Sequence, residues 1–138
     1  MTLETVPRLG TALATRRPLV RYAIRMAVQR WSDEIAIVEF ADEPQFSEDI
    51  ALFARMLDDE QGLEPSAVFD MTRVSYLNSS NVAQLLKLRR RLGGAGRSLR
   101  LCGVADPVWG LLMLSGLDKL FHCAPDVATA LASLQLEN

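Results

Sequence analysis

The sequence is poor in the residues that metal sites and disulfide frameworks require. Its 138 residues include 2 cysteines and 1 histidine. Cys102 and Cys123 stand in short apolar runs without CxxC spacing. We therefore expect two buried thiols in a reducing compartment and no metal site. No apolar run has the length of a signal peptide core or a membrane span, which predicts a cytoplasmic protein with no membrane insertion.

An excess of positive charge is also missing. Lys and Arg number 15 against 17 Asp and Glu, which gives a formal net charge of −2. The chain therefore lacks the positive field that phosphate backbones require, and nucleic acid is excluded as an expected partner. With 49% hydrophobic and 23% charged residues, the chain has the composition of a globular protein and about the length of one domain.

Catalytic motifs are absent as well. Neither GxxxxGK[ST] nor GxGxxG occurs, and no serine lies in a GxSxG setting. His122 lies in a predicted strand with no acid at a telling spacing, so a structural role is expected. The run Asp58-Asp59-Glu60 follows a helical pattern and is typical of a solvated helix end. We therefore expect no enzyme activity, no catalytic residue and no cofactor.

Hydrophobic periodicity predicts an alternation of strands and helices. Residues 1–18 show no period and are interpreted as a tail or a short extra element, so the domain is assigned to residues 19–138. The expected strands are Val20–Val28, Ile35–Phe40, Ala67–Met71, Leu99–Val104 and Phe121–Cys123, the first two forming a hairpin. The expected helices begin at a Ser47 cap, after Leu77, at an Asp106 cap and from Asp126, and the first three end near Gly62, Gly93 and Gly116. This order predicts an α/β fold, a mixed sheet of about five strands with about four helices packed on it.

The segment Asn78-Ser79-Ser80-Asn81 joins the strand-like Ser75-Tyr76-Leu77 to an amphipathic helix. A helix cap by Asn78 or Ser79 is the simplest interpretation, because either side chain accepts a hydrogen bond from a free backbone N–H. A second interpretation is compatible with it. A serine at the positive end of a helix can carry a phosphate without breaking the fold, and the added charge can oppose docking of a partner.

Three motifs in order give the sequence a resemblance to a known family. They are Asp70-Met71-Thr72-Arg73-Val74-Ser75-Tyr76-Leu77-Asn78-Ser79-Ser80, then Gly103 through Pro107-Val108, then Leu114-Ser115-Gly116-Leu117-Asp118-Lys119-Leu120-Phe121. Together they resemble the STAS domain of bacterial anti-sigma factor antagonists, from about Tyr22 to the C-terminus. The resemblance implies the STAS fold, a mixed sheet with helices packed on it.

The resemblance also implies partner switching. Members of the family bind an anti-sigma factor serine kinase, which phosphorylates a serine at a helix start, and a phosphatase reverses the modification. The matching position is Ser79, whereas Ser80 is expected to cap or pack. The implied partner surface consists of Asp70, Asn78, Ser79, Ser80, Asn81, Gln84 and Lys87. A homodimer is left open.

The sequence departs from the family pattern at the switch. The family usually has Asp-Ser-Ser-Gly, and this chain has Asn78-Ser79-Ser80-Asn81. Asn78 keeps the capping shape but lacks the charge, and Asn81 is expected to place a side chain where glycine lets a partner approach. These departures leave open a second function, a scaffold with a degenerate switch that is bound to an ABC-type transporter ATPase or to a larger signalling assembly.

Overall fold

The computed structural model describes residues 28–137 as a sheet covered by helices. In chain order the elements are β1 (Val28–Ser32), β2 (Ile35–Ala41), α1 (Gln45–Asp59), β3 (Ser66–Arg73), α2 (Ser79–Gly94), β4 (Leu99–Cys102), α3 (Asp106–Leu114), a 3₁₀ turn (Leu117–Lys119), β5 (His122–Ala124) and α4 (Val127–Glu137). The predicted α/β class, with five strands and four α-helices in the described range, is confirmed.

The sheet is mixed, with the strand order β1-β2-β3-β4-β5. β1 and β2 are antiparallel and form a hairpin around Asp33 and Glu34, whereas β2, β3, β4 and β5 run parallel. A hairpin was predicted, but with Val20–Val28 as its first strand; the strand that pairs with β2 covers Val28–Ser32, so the prediction was wrong for residues 29–32. Apart from Val28, the predicted strand Val20–Val28 lies outside the described residues, as do the tail over residues 1–18 and the start of the proposed domain. The described strand begins at Val28 and continues to Ser32.

Both faces of the sheet are covered, because the central strands are apolar on both sides. Phe69 of β3 packs in the larger core cluster, with side chains from α1, α2 and α3, and its ring meets those of Phe40 and Phe53. Val68, the neighbouring residue, points to the other face and packs with Ala130 and Leu134 of α4. This alternation confirms the prediction of a buried central strand.

Two predicted helix caps were wrong. The first helix begins at Gln45, and the Ser47 backbone N–H donates to the Glu43 carboxylate at 3.0 Å. Ser47 therefore lies within the first turn of α1, and its own backbone N–H is one of the free groups of that turn, satisfied by Glu43. At α3 the cap position is Ala105, with no side-chain cap, and Asp106 is already helical.

The strand predicted at Leu99–Val104 ends at Cys102, because Gly103 turns the chain with a φ of +66°. This left-handed conformation favours glycine. A Cβ at Gly103 would also collide with the Thr72 hydroxyl oxygen. Both the backbone conformation and the lack of space therefore favour glycine at this position.

Two predictions of side-chain environment also need correction. Cys102 is buried as expected, and burial raises the pKa of its thiol to about 12. Cys123 is exposed, because β5 lies at the edge of the sheet. Asp58 and Asp59 are solvated, but Glu60 is buried and its carboxylate lies 3.4 Å from the Arg30 guanidinium. The prediction of a solvated acidic run therefore holds for Asp58 and Asp59 and was wrong for Glu60.

Candidate functional site

The predicted site lies where the parallel strands end. Asp42 and Glu43 follow β2, and Asn78 follows the loop after β3. Because β2, β3 and β4 run parallel, their carboxyl ends lie along one side of the sheet, which we call the carboxyl edge. Polar residues that are distant in sequence meet there, as is usual for binding sites of parallel sheets.

Asn78 caps α2. Its side-chain oxygen accepts the Asn81 backbone N–H at 2.8 Å, and the Asn81 side-chain oxygen accepts the Asn78 backbone N–H at 3.1 Å. This reciprocal pair is a capping box built from two asparagines. It selects Asn78 over Ser79 as the cap and leaves Ser79 as the first residue of the helix.

Ser79 and Ser80 are both exposed on the first turn of α2. The expectation that Ser80 caps or packs was wrong, because Asn78 already occupies the cap and Ser80 faces solvent. No acidic side chain lies in the first turn. The two hydroxyls therefore lie at the positive end of the helix, accessible to another molecule.

Asn81 lies on the inner side of the same turn and is 1% exposed. Its amide donates to Glu43 at 2.6 Å and to the Gln84 side-chain oxygen at 3.2 Å. The expectation that Asn81 presents a side chain to a partner was therefore wrong. Asn81 is the third residue of α2, and its amide connects the start of α2 to Glu43, which precedes α1.

Glu43 is the centre of a network that joins the starts of α1 and α2. It accepts from the Ser47 hydroxyl and backbone as well as from Asn81, and the Gln84 amide reaches the Ser47 hydroxyl oxygen at 3.3 Å. The hydrogen bond from Ser47, followed by that from Asn81, lowers the pKa of Glu43. An ionised carboxylate thus holds both helix starts. We call Glu43, Ser47, Asn78, Asn81 and Gln84 the Glu43 network.

The loop before α2 is fixed by a second carboxylate. Asp42 accepts the Ser75 backbone N–H at 2.8 Å and the Ser75 hydroxyl at 2.5 Å. These bonds lower the pKa of Asp42, the hydroxyl contributing most. The predicted strand-like Ser75–Leu77 is irregular, and Tyr76 within it is 51% exposed. The loop therefore holds an aromatic side chain in solvent close in sequence to Ser79.

Asp70 lies apart from this network. Its carboxylate accepts the backbone N–H of Thr72 at 3.0 Å and the Thr72 hydroxyl at 2.5 Å. The same hydroxyl lies where a side chain at Gly103, after β4, would stand. The structure therefore uses Asp70 to shape the end of β3, and the contact of Asp70 with a partner stays a prediction.

Lys87 and Gln84 border a groove between α1 and α2. Its volume is about 550 Å³. The apolar part of its lining is Ile50, Ala51, Ala54 and Leu88, and the polar part is Gln84, Lys87, Arg90 and Arg91. Lys87 is exposed on α2, two turns after Ser79. The groove therefore follows α2 from Gln84 to Arg91.

Sequence reasoning missed Asp42, Glu43 and Tyr76. Asp42 bonds a residue 33 positions away, and Glu43 bonds one 38 positions away. Such pairings depend on strand register, which periodicity alone does not give. The available signal was two acids placed directly after the predicted strand Ile35–Phe40 and the alanine that follows it.

No group of three or more His, Cys, Asp or Glu side chains is placed to hold a metal ion within residues 28–137. Across that same range, no helix combines the length and the apolar character needed to cross a bilayer. Asp42 and Glu43 at the carboxyl edge accept hydrogen bonds from this chain's own groups, and the exposed side chains near them include Tyr76 and the two hydroxyls of Ser79 and Ser80.

Comparisons with known proteins agree with this architecture. A STAS domain protein from Planctomyces limnophilus, described as an anti-sigma-factor antagonist, superposes with a TM-score of 0.67 at 15% identity, over 80% of this chain and 97% of that one. Unphosphorylated SpoIIAA, an anti-sigma factor antagonist from Bacillus, gives 0.65 at 18% identity, over 78% and 94%. At these identities the likeness concerns the fold.

A transporter shares the same fold. The murine anion transporter Slc26a9 gives a TM-score of 0.64 at 15% identity, over 76% of this chain and 18% of that much longer one. A comparison with the sequences of curated proteins finds no match. The sequence model of the STAS domain matches residues 23–130, which is most of the chain. The chain therefore belongs to the STAS domain family.

Proposed function

We propose that this protein is an anti-sigma factor antagonist-like regulator that binds a serine-kinase anti-sigma factor and is switched by phosphorylation of Ser79. The observation that carries the proposal is the exposed Ser79 hydroxyl at the first position of α2, in a helix start held by Asn78 and Asn81. The proposed chemistry is binding in the cytoplasm, with no catalytic residue and no cofactor of its own.

The electrostatics of the helix start support a switch. A phosphate on Ser79 brings about −1.5 to −2 charges to the positive end of α2, where the helix tolerates them. The same charge opposes a partner that had accepted the neutral hydroxyl. Because Asn78 and Asn81 bond each other, modification of Ser79 leaves the cap intact.

The proposed contact surface extends from the helix start to the groove. Tyr76, Ser79 and Ser80 supply exposed groups at one end, and Lys87 lies beside the groove. Exposed aromatic side chains contribute strongly to protein interfaces. Gln84 and Asn81 support this surface from within, because both belong to the Glu43 network.

A kinase assay tests the switch. The protein is incubated with ATP and a serine-kinase anti-sigma factor from the same organism, and the phosphate is mapped by mass spectrometry. We expect phosphate on Ser79, none in Ser79→Ala, and phosphate still mapped to Ser79 in Ser80→Ala, which removes only the neighbouring hydroxyl. Ser79→Asp should lose the kinase complex in a pull-down. Phosphate confined to Ser80, or no phosphate and no complex, would refute the proposal.

The second candidate is a STAS scaffold without a switch, bound to an ABC-type transporter ATPase or to a larger signalling assembly. Asn78 favours it, because a neutral amide stands where the family usually has a carboxylate. A tagged chain that recovers a transporter ATPase equally well in wild-type and Ser79→Asp forms would select this candidate over the first.

A further inference from the structure

A second pocket lies at the opposite side of the sheet, where β4 and β5 begin. Its volume is about 360 Å³, and it collects residues from α2, the loop after it, β4, β5 and α4. The lining residues that matter here are Arg89, Arg90, Arg97, Arg100, His122 and Glu137. We call this the basic pocket.

Positive charge exceeds negative charge in the basic pocket. Four of its lining residues are arginines and a single one, Glu137, is a carboxylate. The chain as a whole has a formal net charge of −2, so the excess is local. Guanidinium groups that converge on one concave surface repel each other, and a bound anion relieves that repulsion.

Two of these arginines are held by the fold. Arg100 is 7% exposed, and its guanidinium bonds the Glu137 carboxylate and donates to the Ser133 hydroxyl at 3.0 Å. Arg89 donates to the Leu120 carbonyl. Glu137 thus offsets Arg100, the most buried of the four.

The remaining two arginines leave positive charge for a ligand. Arg97 lies 3.8 Å from Glu34, a partly solvated ion pair that contributes little. Arg90 is exposed and makes no hydrogen bond or ion pair with any side chain in residues 28–137. Basic residues at a helix end also offset the helix dipole, but Arg97, Arg100 and His122 lie outside α2.

From this convergence we propose that the basic pocket binds a small molecule carrying a phosphate or pyrophosphate group. Arginine forks match phosphate oxygens and supply charge-assisted hydrogen bonds in pairs. Arg90 and Arg97 are the ligand-binding side chains, and the Arg100–Glu137 pair also lines the pocket. The basic pocket lies at the other end of α2 from Ser79, and Arg90 lines both this pocket and the groove between α1 and α2.

Titration calorimetry with the full chain tests the site, using pyrophosphate and ADP as probes at constant ionic strength. The variants are Arg90→Gln, Arg97→Gln and the double variant. The matched control is Arg55→Gln, which removes the same charge from an exposed position on α1. Circular dichroism first establishes that each variant is folded.

We expect the wild type to bind at least one probe, each single variant to bind it about tenfold more weakly, and the double variant to show no binding. Arg55→Gln should bind as the wild type does. No binding of either probe by the wild type would overturn the proposal. Equal binding by the double variant, or an equal loss in Arg55→Gln, would overturn it as well.

Discussion

The two ends of α2 show opposite uses of polar residues. At the carboxyl edge, the side chains of Asn78, Asn81 and Gln84 form hydrogen bonds within the chain, in the network around the Glu43 carboxylate. At the other end, four arginines line a pocket whose lining includes a single carboxylate, Glu137. The start of α2 is fixed by these hydrogen bonds and exposes the Ser79 hydroxyl. The end of α2 contributes cationic groups that can bind an anion.

From this difference we expect the residues of the Glu43 network to contribute to stability and the exposed residues at both ends of α2 to contribute to binding. Removing a member of the Glu43 network should destabilise the fold, because its atoms are bonded and partly buried. Removing an exposed residue from either end should change binding and leave the fold nearly intact. Four substitutions test this separation, from the largest expected effect on unfolding to the smallest.

Asn81→Ala should lower the free energy of unfolding by about 2 kcal/mol, since it removes a buried cap partner and two donated hydrogen bonds. Urea denaturation followed by circular dichroism measures the change. Ser80→Ala, on the exposed side of the same turn, is the control and should stay within about 0.5 kcal/mol of wild type. Equal effects of the two variants would contradict the separation.

Glu43→Gln should cost about 1 kcal/mol at neutral pH and change the acid limb of the stability curve. Hydrogen bonds hold the folded-state pKa of Glu43 below its ordinary value of 4.5. Its stabilisation is therefore present above the unfolded-state pKa and is lost as the pH falls through the folded-state pKa. The free energies of unfolding of the wild type and Glu43→Gln, measured from pH 7 to pH 3, should converge at low pH. Parallel curves would show that the ionised carboxylate does not stabilise the Glu43 network.

Arg91→Ala tests a partly exposed charge near the other end of α2. Arg91 lies 2.6 Å from Asp58, and both side chains are partly solvated. The loss should be at most about 1 kcal/mol and should shrink at high salt. A larger, salt-independent loss would show that this end of α2 also depends on fixed polar contacts for its stability.

Ser79→Asp should have the smallest effect, a gain of about 0.3 kcal/mol, because a carboxylate at the first helical position interacts favourably with the helix dipole. Thermal and urea unfolding both measure it. A loss above about 1 kcal/mol would mean that Ser79 does not tolerate negative charge, and a phosphate switch at this position would then be incompatible with the fold.

Local patterns were sufficient for most of the architecture and for the start of α2. Alternating and helical periodicities predicted the element order, and the polar run at Asn78 predicted a helix start. The direction of Asn81 was not predictable, because it depends on Glu43 lying across from it after β2. The placement of Glu60 failed for the same reason, since its partner Arg30 belongs to β1.

The contrast between the two cysteines gives this protein a built-in spectroscopic handle. A thiol whose pKa is raised to about 12 under the sheet has almost no thiolate at neutral pH, so Cys102 should resist maleimide reagents. Burial raises the pKa of the Cys123 thiol as well, but Cys123 is exposed on β5 and follows His122 of the basic pocket in sequence, so it is the more accessible of the two thiols. A fluorophore attached there, with no engineered mutation, would report on events at that side of the molecule.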